Sequence, residues 1–166
     1  MNWPHIHLII NHFPVIGLFL TLLLFGLAFF RKSDELMRVA VGALVFLALT
    51  AIPVYFTGQA AADTVKKLPG VTEGVVGTHQ EVASLALVLI EGLGAAALGG
   101  LIFFRRSPKI PTWFAGAVLG LTLATAALLG LTANLGGQIR HQEIREGFVP
   151  PPASGPAKHD AGKEIK

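Results

Sequence analysis

The sequence predicts an all-helical protein, a bundle of four transmembrane helices, and composition and the distribution of apolar residues lead to that fold class. Hydrophobic residues make up 52% of the 166 residues and charged residues only 14%. A soluble domain usually carries about 25% charged residues, so this chain lacks the charge to cover a water-facing surface. The apolar residues also fall into four blocks, each near the roughly 20 residues that a helix needs to cross a bilayer. The predicted bundle has short cytoplasmic turns, one longer outer loop and a disordered C-terminal tail.

The first predicted span covers about residues 8–30, and the second covers about residues 37–56. No positive charge precedes the first span and its apolar run is too long for a cleaved signal peptide. Pro14 lacks a backbone donor and crowds the preceding turn, so a kink is predicted close to His12. The second span is predicted to end at Thr57-Gly58.

The longest internal loop is predicted at residues 58–78, with a short surface helix from Gln59 to Leu68. Thr78 is predicted to cap the next helix in a capping box that the carboxylate of Glu81 completes. The third span covers about residues 82–104. It is rich in glycine and alanine, which allow helices to pack closely in lipid.

The fourth predicted span covers about residues 111–135, and Gly136-Gly137 is expected to end or bend it. These segments give a transmembrane domain over residues 1–147. The tail over residues 148–166 begins with a proline-rich stretch and has little to bury, which predicts disorder. No tandem repeat is obvious.

Basic residues predict the orientation of the four spans. The two short turns carry six of them, whereas the N-terminal segment carries none. By the positive-inside rule the turns are cytoplasmic and both termini lie outside. The opposing signal is a smaller basic set on the other side. The six turn residues are Arg31, Lys32, Arg38, Arg105, Arg106 and Lys109; the opposing set is Lys66, Lys67, Arg140 and Arg145.

Charge and cysteine content narrow the partners and cofactors. The net charge is +3, but the basic residues lie between the apolar blocks and in the tail. Such residues contact anionic lipid headgroups, so membrane lipid is an expected partner and nucleic acid is not. The chain has no cysteine, which excludes thiolate metal sites and covalent attachment of haem. A metal must therefore use histidine, carboxylate or backbone oxygen.

The histidines before the tail are all predicted at one end of the bundle. His12 lies about one turn inside the first span, where a polar group faces the bundle interior or a cavity. His79 begins the third helix, whose dipole favours the neutral imidazole that binds metals. We therefore expect His12 and His79 to be axial ligands of haem b or metal ligands. His141 is a further metal-ligand candidate, His5, His7 and His141 are rim or alternative cofactor ligands, and the supporting residues are Asn11, Glu81, Arg140 and Glu143.

Glu91 lies near the middle of the third span, where ionisable residues face inward and mark function. It follows His79 by about 18 Å along the helix axis at 1.5 Å per residue, so it is not a co-ligand. It is predicted to relay protons below the histidine site. The alternative is a neutral carboxyl bonded to a threonine such as Thr21, Thr50 or Thr125.

Four separated motifs are distinctive. They are His5-Ile6-His7-Leu8-Ile9-Ile10-Asn11-His12-Phe13-Pro14-Val15-Ile16-Gly17, Ala51-Ile52-Pro53-Val54-Tyr55-Phe56-Thr57-Gly58, Leu68-Pro69-Gly70-Val71 and Gly136-Gly137-Gln138-Ile139-Arg140-His141-Gln142-Glu143-Ile144-Arg145. Together they resemble a family of small, uncharacterised bacterial four-helix membrane proteins over roughly residues 5–147. The resemblance implies a bacterial inner-membrane location and supplies no activity. The architecture also resembles membrane cytochromes b, which hold haem between histidines of two helices.

Three hypotheses of function follow. The first is a haem b protein in electron transfer, with a quinone or a redox partner protein on the outer face. The second is a non-haem zinc or copper enzyme or metal-handling protein, in which three imidazoles and a water would bind the metal. The third is a non-catalytic membrane subunit or scaffold, in which the histidines only join helices. Homo- or hetero-oligomers are compatible with each, and whether the protein is catalytic stays open.

Overall fold

The computed structural model describes residues 1–150, which are all-helical apart from their turns and loops. Four helical segments are long and apolar enough to cross a membrane, as predicted. The first segment consists of two helices in sequence. The predicted disorder after residue 150 falls outside the described residues. The helices are α1 Trp3–Ile10, α2 His12–Arg31, α3 Asp34–Val65, α4 Glu73–Phe103 and α5 Thr112–Arg140, followed by a 3₁₀ turn, Gln142–Ile144.

The outer loop is shorter than the predicted residues 58–78, because α3 and α4 extend into it from either side. α3 continues to Val65, so the prediction of an end at Thr57-Gly58 and a separate helix from Gln59 to Leu68 is wrong. A glycine costs a helix only about 1 kcal/mol, and three alanines follow it. Likewise, α5 passes through Gly136-Gly137 and ends at Arg140.

The start of α4 also corrects a prediction. Thr72 is its N-cap, and the Thr72 side chain accepts a hydrogen bond from the backbone N–H of Val75 at 3.4 Å. The predicted capping box of Thr78 and Glu81 is wrong, because the Thr78 hydroxyl donates to the carbonyl of Gly74 within the helix, at 3.0 Å. α4 therefore begins after Thr72, next to the acidic Glu73 of its first turn, and not after Thr78.

The first span is interrupted at Asn11, between α1 and α2. Pro14 has no N–H to offer the carbonyl of Ile10, so one bond of the regular ladder is missing there. The Asn11 N–H still bonds to the carbonyl of His7. The predicted distortion near His12 is therefore confirmed, as a break that restarts the helix at His12.

The spans form a ring in which α3 packs between α2 and α4, and α5 packs between α4 and α2. α1 packs on α3. The first and third spans are therefore diagonal across the bundle. The largest fully buried side chains fill the centre and include Leu18, Phe25, Leu44, Ile90 and Leu93. Large apolar side chains such as those of Phe30, Leu23 and Val88 are exposed, as suits a surface that faces lipid.

One end of the bundle contains the α2–α3 and α4–α5 turns and is called the turn end. Its centre is an ion pair between Asp34 Oδ2 and Arg38 Nε, at 2.7 Å. Asp34 Oδ1 accepts from the backbone N–H of Ile110 at 2.6 Å, and Arg38 Nη2 donates to the carbonyl of Ser107 at 2.9 Å. Arg38 also reaches the carbonyl of Phe104. This Asp34–Arg38 clasp holds the α4–α5 turn against α3.

Candidate functional site

The opposite end, called the histidine end, holds His7 against α3. The Nδ1 atom of His7 lies 3.0 Å from the carbonyl oxygen of Val54 and 3.3 Å from the hydroxyl of Thr57. The ring rests on Gly58, where a Cβ atom would lie 2.9 Å from His7 Cε1. A glycine at this position therefore gives the imidazole its place on the helix.

His79 is held against α5 by the same kinds of contact. Its Nδ1 atom lies 3.1 Å from the carbonyl oxygen of Thr132. Its ring rests on Gly136, where a Cβ atom would lie 3.1 Å from His79 Cε1. Both rings are partly buried, and each joins the first helical segment of a hairpin to the second.

The two hairpins thus repeat one arrangement. In each, a histidine near the start of the first segment bonds to a carbonyl of the second helix, and a glycine follows that carbonyl by four residues. A short sequence similarity accompanies it where the first segments end. The two copies are Gly26-Leu27-Ala28-Phe29-Phe30-Arg31-Lys32 and Gly100-Leu101-Ile102-Phe103-Phe104-Arg105-Arg106.

The bonds at Nδ1 fix the chemistry of the other ring nitrogen. A carbonyl only accepts, so Nδ1 carries the hydrogen and Nε2 of a neutral ring carries a lone pair. Within residues 1–150, the Nε2 atoms of His7 and His79 make no hydrogen bond. Neither of these two atoms is buried without a partner. A carbonyl at Nδ1 is also how proteins orient a histidine that ligates a metal through Nε2.

His12 and His5 do not join this pair. His12 is exposed, and its Nδ1 lies 2.9 Å from the carbonyl of Leu8, one turn back along its own span. His12 does not face the bundle interior, because the face of the first span that carries His7 packs on α3; His12 lies instead at an apolar groove between α2 and α3. His7 occupies the inward position instead. His5 is exposed near the start of α1.

The remaining polar candidates lie around the rim. His141 and Glu143 are exposed and pair with each other, with 2.8 Å between His141 Nδ1 and Glu143 Oε1. A hydrogen bond from its own backbone N–H, aided by His141, holds the pKa of Glu143 below its usual value. Arg140 and Glu81 are exposed, and neither contacts the histidine pair by a hydrogen bond among the described residues.

Sequence reasoning missed Arg145, which closes the histidine end. Its guanidinium donates to the carbonyls of Gln138, Ile139 and Gly70, at 2.8, 3.1 and 2.9 Å. It thereby satisfies the last carbonyls of α5 and ties the α3–α4 loop to them. A cation near a helix C-terminus is the pattern that indicates such a role.

Glu91 lies on the flank of α4, in a cleft against α3. Its Oε1 atom is enclosed and has no hydrogen-bond partner in the described part of the chain. The alternative of a bond to a threonine is not formed at this oxygen, because no hydroxyl of the described residues lies within hydrogen-bond distance of it. A proton relay through Glu91 stays a prediction.

The five predicted cofactor histidines do not converge on one pocket: His7 and His79 are each held against a neighbouring helix, and the other three are exposed. Within residues 1–150, no group of three or more histidine, aspartate or glutamate side chains is placed to hold a metal ion. The chain matches no family model, no curated protein and no solved structure. The resemblance to a bacterial four-helix family therefore stays a prediction.

Proposed function

We propose that this chain is a multi-pass membrane protein that binds haem b between His7 and His79 and takes part in electron transfer. The observation that supports this is the pair itself: two diagonal spans each present an imidazole, fixed through Nδ1, with Nε2 free. Haem b needs two axial ligands and no cysteine. The ligand set therefore fits haem, and bound haem would supply a one-electron ferric–ferrous couple.

The number of ligands separates haem from zinc. A catalytic zinc site uses three protein ligands and a water, and no such group is found among the described residues. Imidazole also suits copper, so a single copper ion held by the same two histidines is the second candidate. In a third case, the pair only joins helices in a subunit or scaffold. In the haem and copper cases the protein has the same role: it fixes both histidine tautomers and surrounds the pair with apolar helices.

Spectra of the purified protein test these cases. We expect a reduced-minus-oxidised Soret and α-band signal after expression with adequate haem. His7→Gln and His79→Gln should each abolish it, because an amide keeps a donor for the carbonyl and is a poor haem ligand. His12→Gln and His5→Gln are matched controls from the same segment and should retain it.

The other outcomes are equally definite. A wild-type protein without a Soret band overturns the haem proposal. Stoichiometric copper in that protein, lost in His7→Gln, would support the copper site instead. If the purified protein contains neither haem nor metal, and a chelator does not change its thermal stability, the scaffold role remains.

A quinone is the proposed electron partner within the membrane. An apolar groove of about 640 Å³ runs between α2 and α3, and His12 lies at its end with Nε2 free within the described residues. A lipid-soluble molecule can enter it from the bilayer, and His12 can accept a hydrogen bond from a hydroquinone. Reduction of the bound haem by a short-chain quinol should be slowed in His12→Leu and unaffected in His5→Leu. Equal rates would remove the quinone from the proposal.

The bacterial inner membrane and the outward-facing termini also belong to the proposal. The basic residues of the two short turns support this orientation. Reporter fusions at Lys109 should be active in the cytoplasm, and fusions after Gly147 should be active outside. The reverse pattern would place the histidine end at the cytoplasmic face and exclude an extracytoplasmic redox partner.

A further inference from the structure

The two ends of the bundle carry charge of opposite sign. Within residues 1–150 and with histidines neutral, six basic and two acidic side chains give the turn end a net charge of +4, and four basic and five acidic ones give the histidine end −1. A concentration of one sign of charge attracts partners of the other sign. The turn end is therefore the part of the described chain that favours an anionic partner.

Most of the positive charge at the turn end has no partner among the described residues. Asp34 is occupied, because it pairs with Arg38 and accepts from the backbone N–H of Ile110. The one other carboxylate at this end, that of Glu35, is exposed and forms no ion pair within residues 1–150. Five cations are exposed and likewise make no ion pair or side-chain hydrogen bond there, and we call them the basic surface: Arg31, Lys32, Arg105, Arg106 and Lys109.

The Asp34–Arg38 clasp brings the two basic turns together. Asp34 lies two residues after Lys32 of the first turn. Its Oδ1 atom accepts, at 2.6 Å, from the backbone N–H of Ile110, the residue after Lys109 of the second turn. The cations of both hairpins therefore belong to one continuous surface and not to two separate ones.

Large apolar side chains lie beside the basic surface in the chain. Phe30 is 84% exposed, Phe103 80% and Trp113 68%. They lie at the ends of α2 and α4 and at the start of α5, where membrane-crossing helices meet the boundary between acyl chains and headgroups. A partner that contacts these rings and the neighbouring cations together is apolar at one end and anionic at the other.

We propose that the basic surface binds an anionic phospholipid, with its phosphate among Arg105, Arg106 and Lys109 and an acyl chain against Phe103 and Trp113. The second turn is the centre of the site because it carries three of the five cations and is flanked by two of the three exposed rings. A soluble anion has no apolar part for these rings, and a zwitterionic lipid brings no net charge to the cations. Clusters of basic residues next to a membrane span are known to recognise anionic headgroups. The proposal assigns one class of lipid to one end of the bundle and does not depend on the histidine pair.

The two tryptophans of the chain provide one fluorescent reporter at each end of the bundle. Trp3→Phe leaves Trp113 at the turn end, and Trp113→Phe leaves Trp3, which is 55% exposed at the histidine end. Each full-length protein is placed in phosphatidylcholine bilayers, and quenching by brominated phosphatidylglycerol is compared with quenching by brominated phosphatidylcholine. We expect Trp113 to prefer the anionic lipid by about fivefold or more, and Trp3 to show almost no preference.

Charge variants of the protein that retains Trp113 test which residues bind the headgroup. Arg105→Gln combined with Arg106→Gln should remove most of the preference, because it removes two of the three central cations. Lys66→Gln combined with Lys67→Gln is the matched control, since it removes two cations from the histidine end, and it should leave the preference unchanged. Arg105→Lys combined with Arg106→Lys keeps the charge and should keep the preference, which separates lost charge from a folding defect.

Two additions to the solution test the nature of the ligand. Salt at about 1 M should weaken the preference of Trp113, because it screens exposed charges. Glycerol phosphate in solution should not compete, since it has no acyl chain to contact the aromatic rings. Full competition by glycerol phosphate would overturn the lipid site in favour of a site for a free phosphate.

The remaining outcomes also decide the proposal. Equal preference for the anionic lipid at Trp3 and Trp113 would overturn it, because the charge difference between the two ends would then have no effect. A preference that survives the loss of Arg105 and Arg106 would overturn it as well. So would an acidic protein that binds the turn end in bilayers of phosphatidylcholine alone, if Trp113 shows no preference between the two lipids.

Discussion

The two hairpins place their histidines alike but from different local backbones. In the first, His7 lies on a short helix that ends at a break, and two groups lie near its Nδ1, the Val54 carbonyl and the Thr57 hydroxyl. In the second, His79 lies within an unbroken helix and has the Thr132 carbonyl alone. The shared feature is therefore the contact between imidazole, carbonyl and glycine. Comparing the two hairpins therefore isolates the contribution of the Thr57 hydroxyl.

The same hairpins differ more strongly at the turn end. The first turn is short: Lys32 adopts the left-handed conformation, at φ 51°, and Ser33 caps α3. The second turn covers residues 104–111 and takes its support from Asp34 and Arg38 of the first hairpin. The first hairpin can thus form its turn from local contacts, whereas the second depends on its neighbour.

Removal of the clasp should produce the largest loss of stability. Asp34→Ala leaves the Ile110 N–H and Arg38 Nε without their acceptor, and hydrogen bonds to charged groups contribute about 1.5–3 kcal/mol each. We expect lower thermal stability and faster hydrogen exchange in residues 104–111, with little change in residues 32–33. Glu35→Ala, an exposed neighbour in the same helix turn, is the control. Equal exchange in both turns would contradict the dependence of the second hairpin on the first.

The glycines under the two imidazoles should give the next largest effect. Gly58→Ala places a Cβ atom 2.9 Å from His7, and Gly136→Ala places one 3.1 Å from His79. Overpacking of this kind costs about 1–3 kcal/mol, or roughly a tenfold loss of cofactor affinity for each 1.4 kcal/mol that falls on binding. Gly58→Ala should be the more severe, because its contact is shorter.

Two other glycines in the same helices provide controls for this comparison. Added Cβ atoms at Gly42 in α3 and Gly130 in α5 would meet no atom within 4 Å. Alanine there should leave cofactor content unchanged and stabilise the helices slightly. Cofactor titrations of all four variants measure the difference. Losses at Gly42 or Gly130 comparable to that at Gly58 would show that helix flexibility, and not room for the ring, is what the glycines provide.

The spans could be predicted from the sequence because bilayer thickness and apolar blocks determine them almost without tertiary information. The helix ends could not, since Gly58 and Gly136 look like helix ends, whereas neighbouring rings use them as contact surfaces. The sequence favours His12 over His7 because His12 lies deeper in an ideal helix. The packing of α1 on α3 decides which face of this span turns inward, and a single sequence does not show that packing. The similar Gly-Leu-x-Phe-Phe-Arg segments do not find the pair either, since aligning Gly26 with Gly100 places His5, and not His7, opposite His79.

The smallest expected effect comes from Thr57 and Leu135, which follow the Val54 and Thr132 carbonyls by the same three residues. The Thr57 hydroxyl donates to the carbonyls of Pro53 and Val54, at 2.8 and 2.9 Å, and can accept from His7. Thr57→Val should remove about 0.5–1.5 kcal/mol of support for that ring, making the first hairpin resemble the second. Leu135→Thr makes the reciprocal change beside His79.

The two variants should act in opposite directions on the cofactor. A stronger partner at Nδ1 raises the basicity of a ligand histidine, which stabilises the oxidised iron of a bound haem. We therefore expect Thr57→Val to raise the midpoint potential slightly and Leu135→Thr to lower it, while the double variant returns towards the wild type. Thr64→Val in α3 is the control, since that exposed hydroxyl makes no bond within the described residues. If the midpoint potential shifts in the same direction in both variants, the hydroxyl acts by packing. A bond to Nδ1 predicts opposite shifts, because one variant removes that bond and the other adds it.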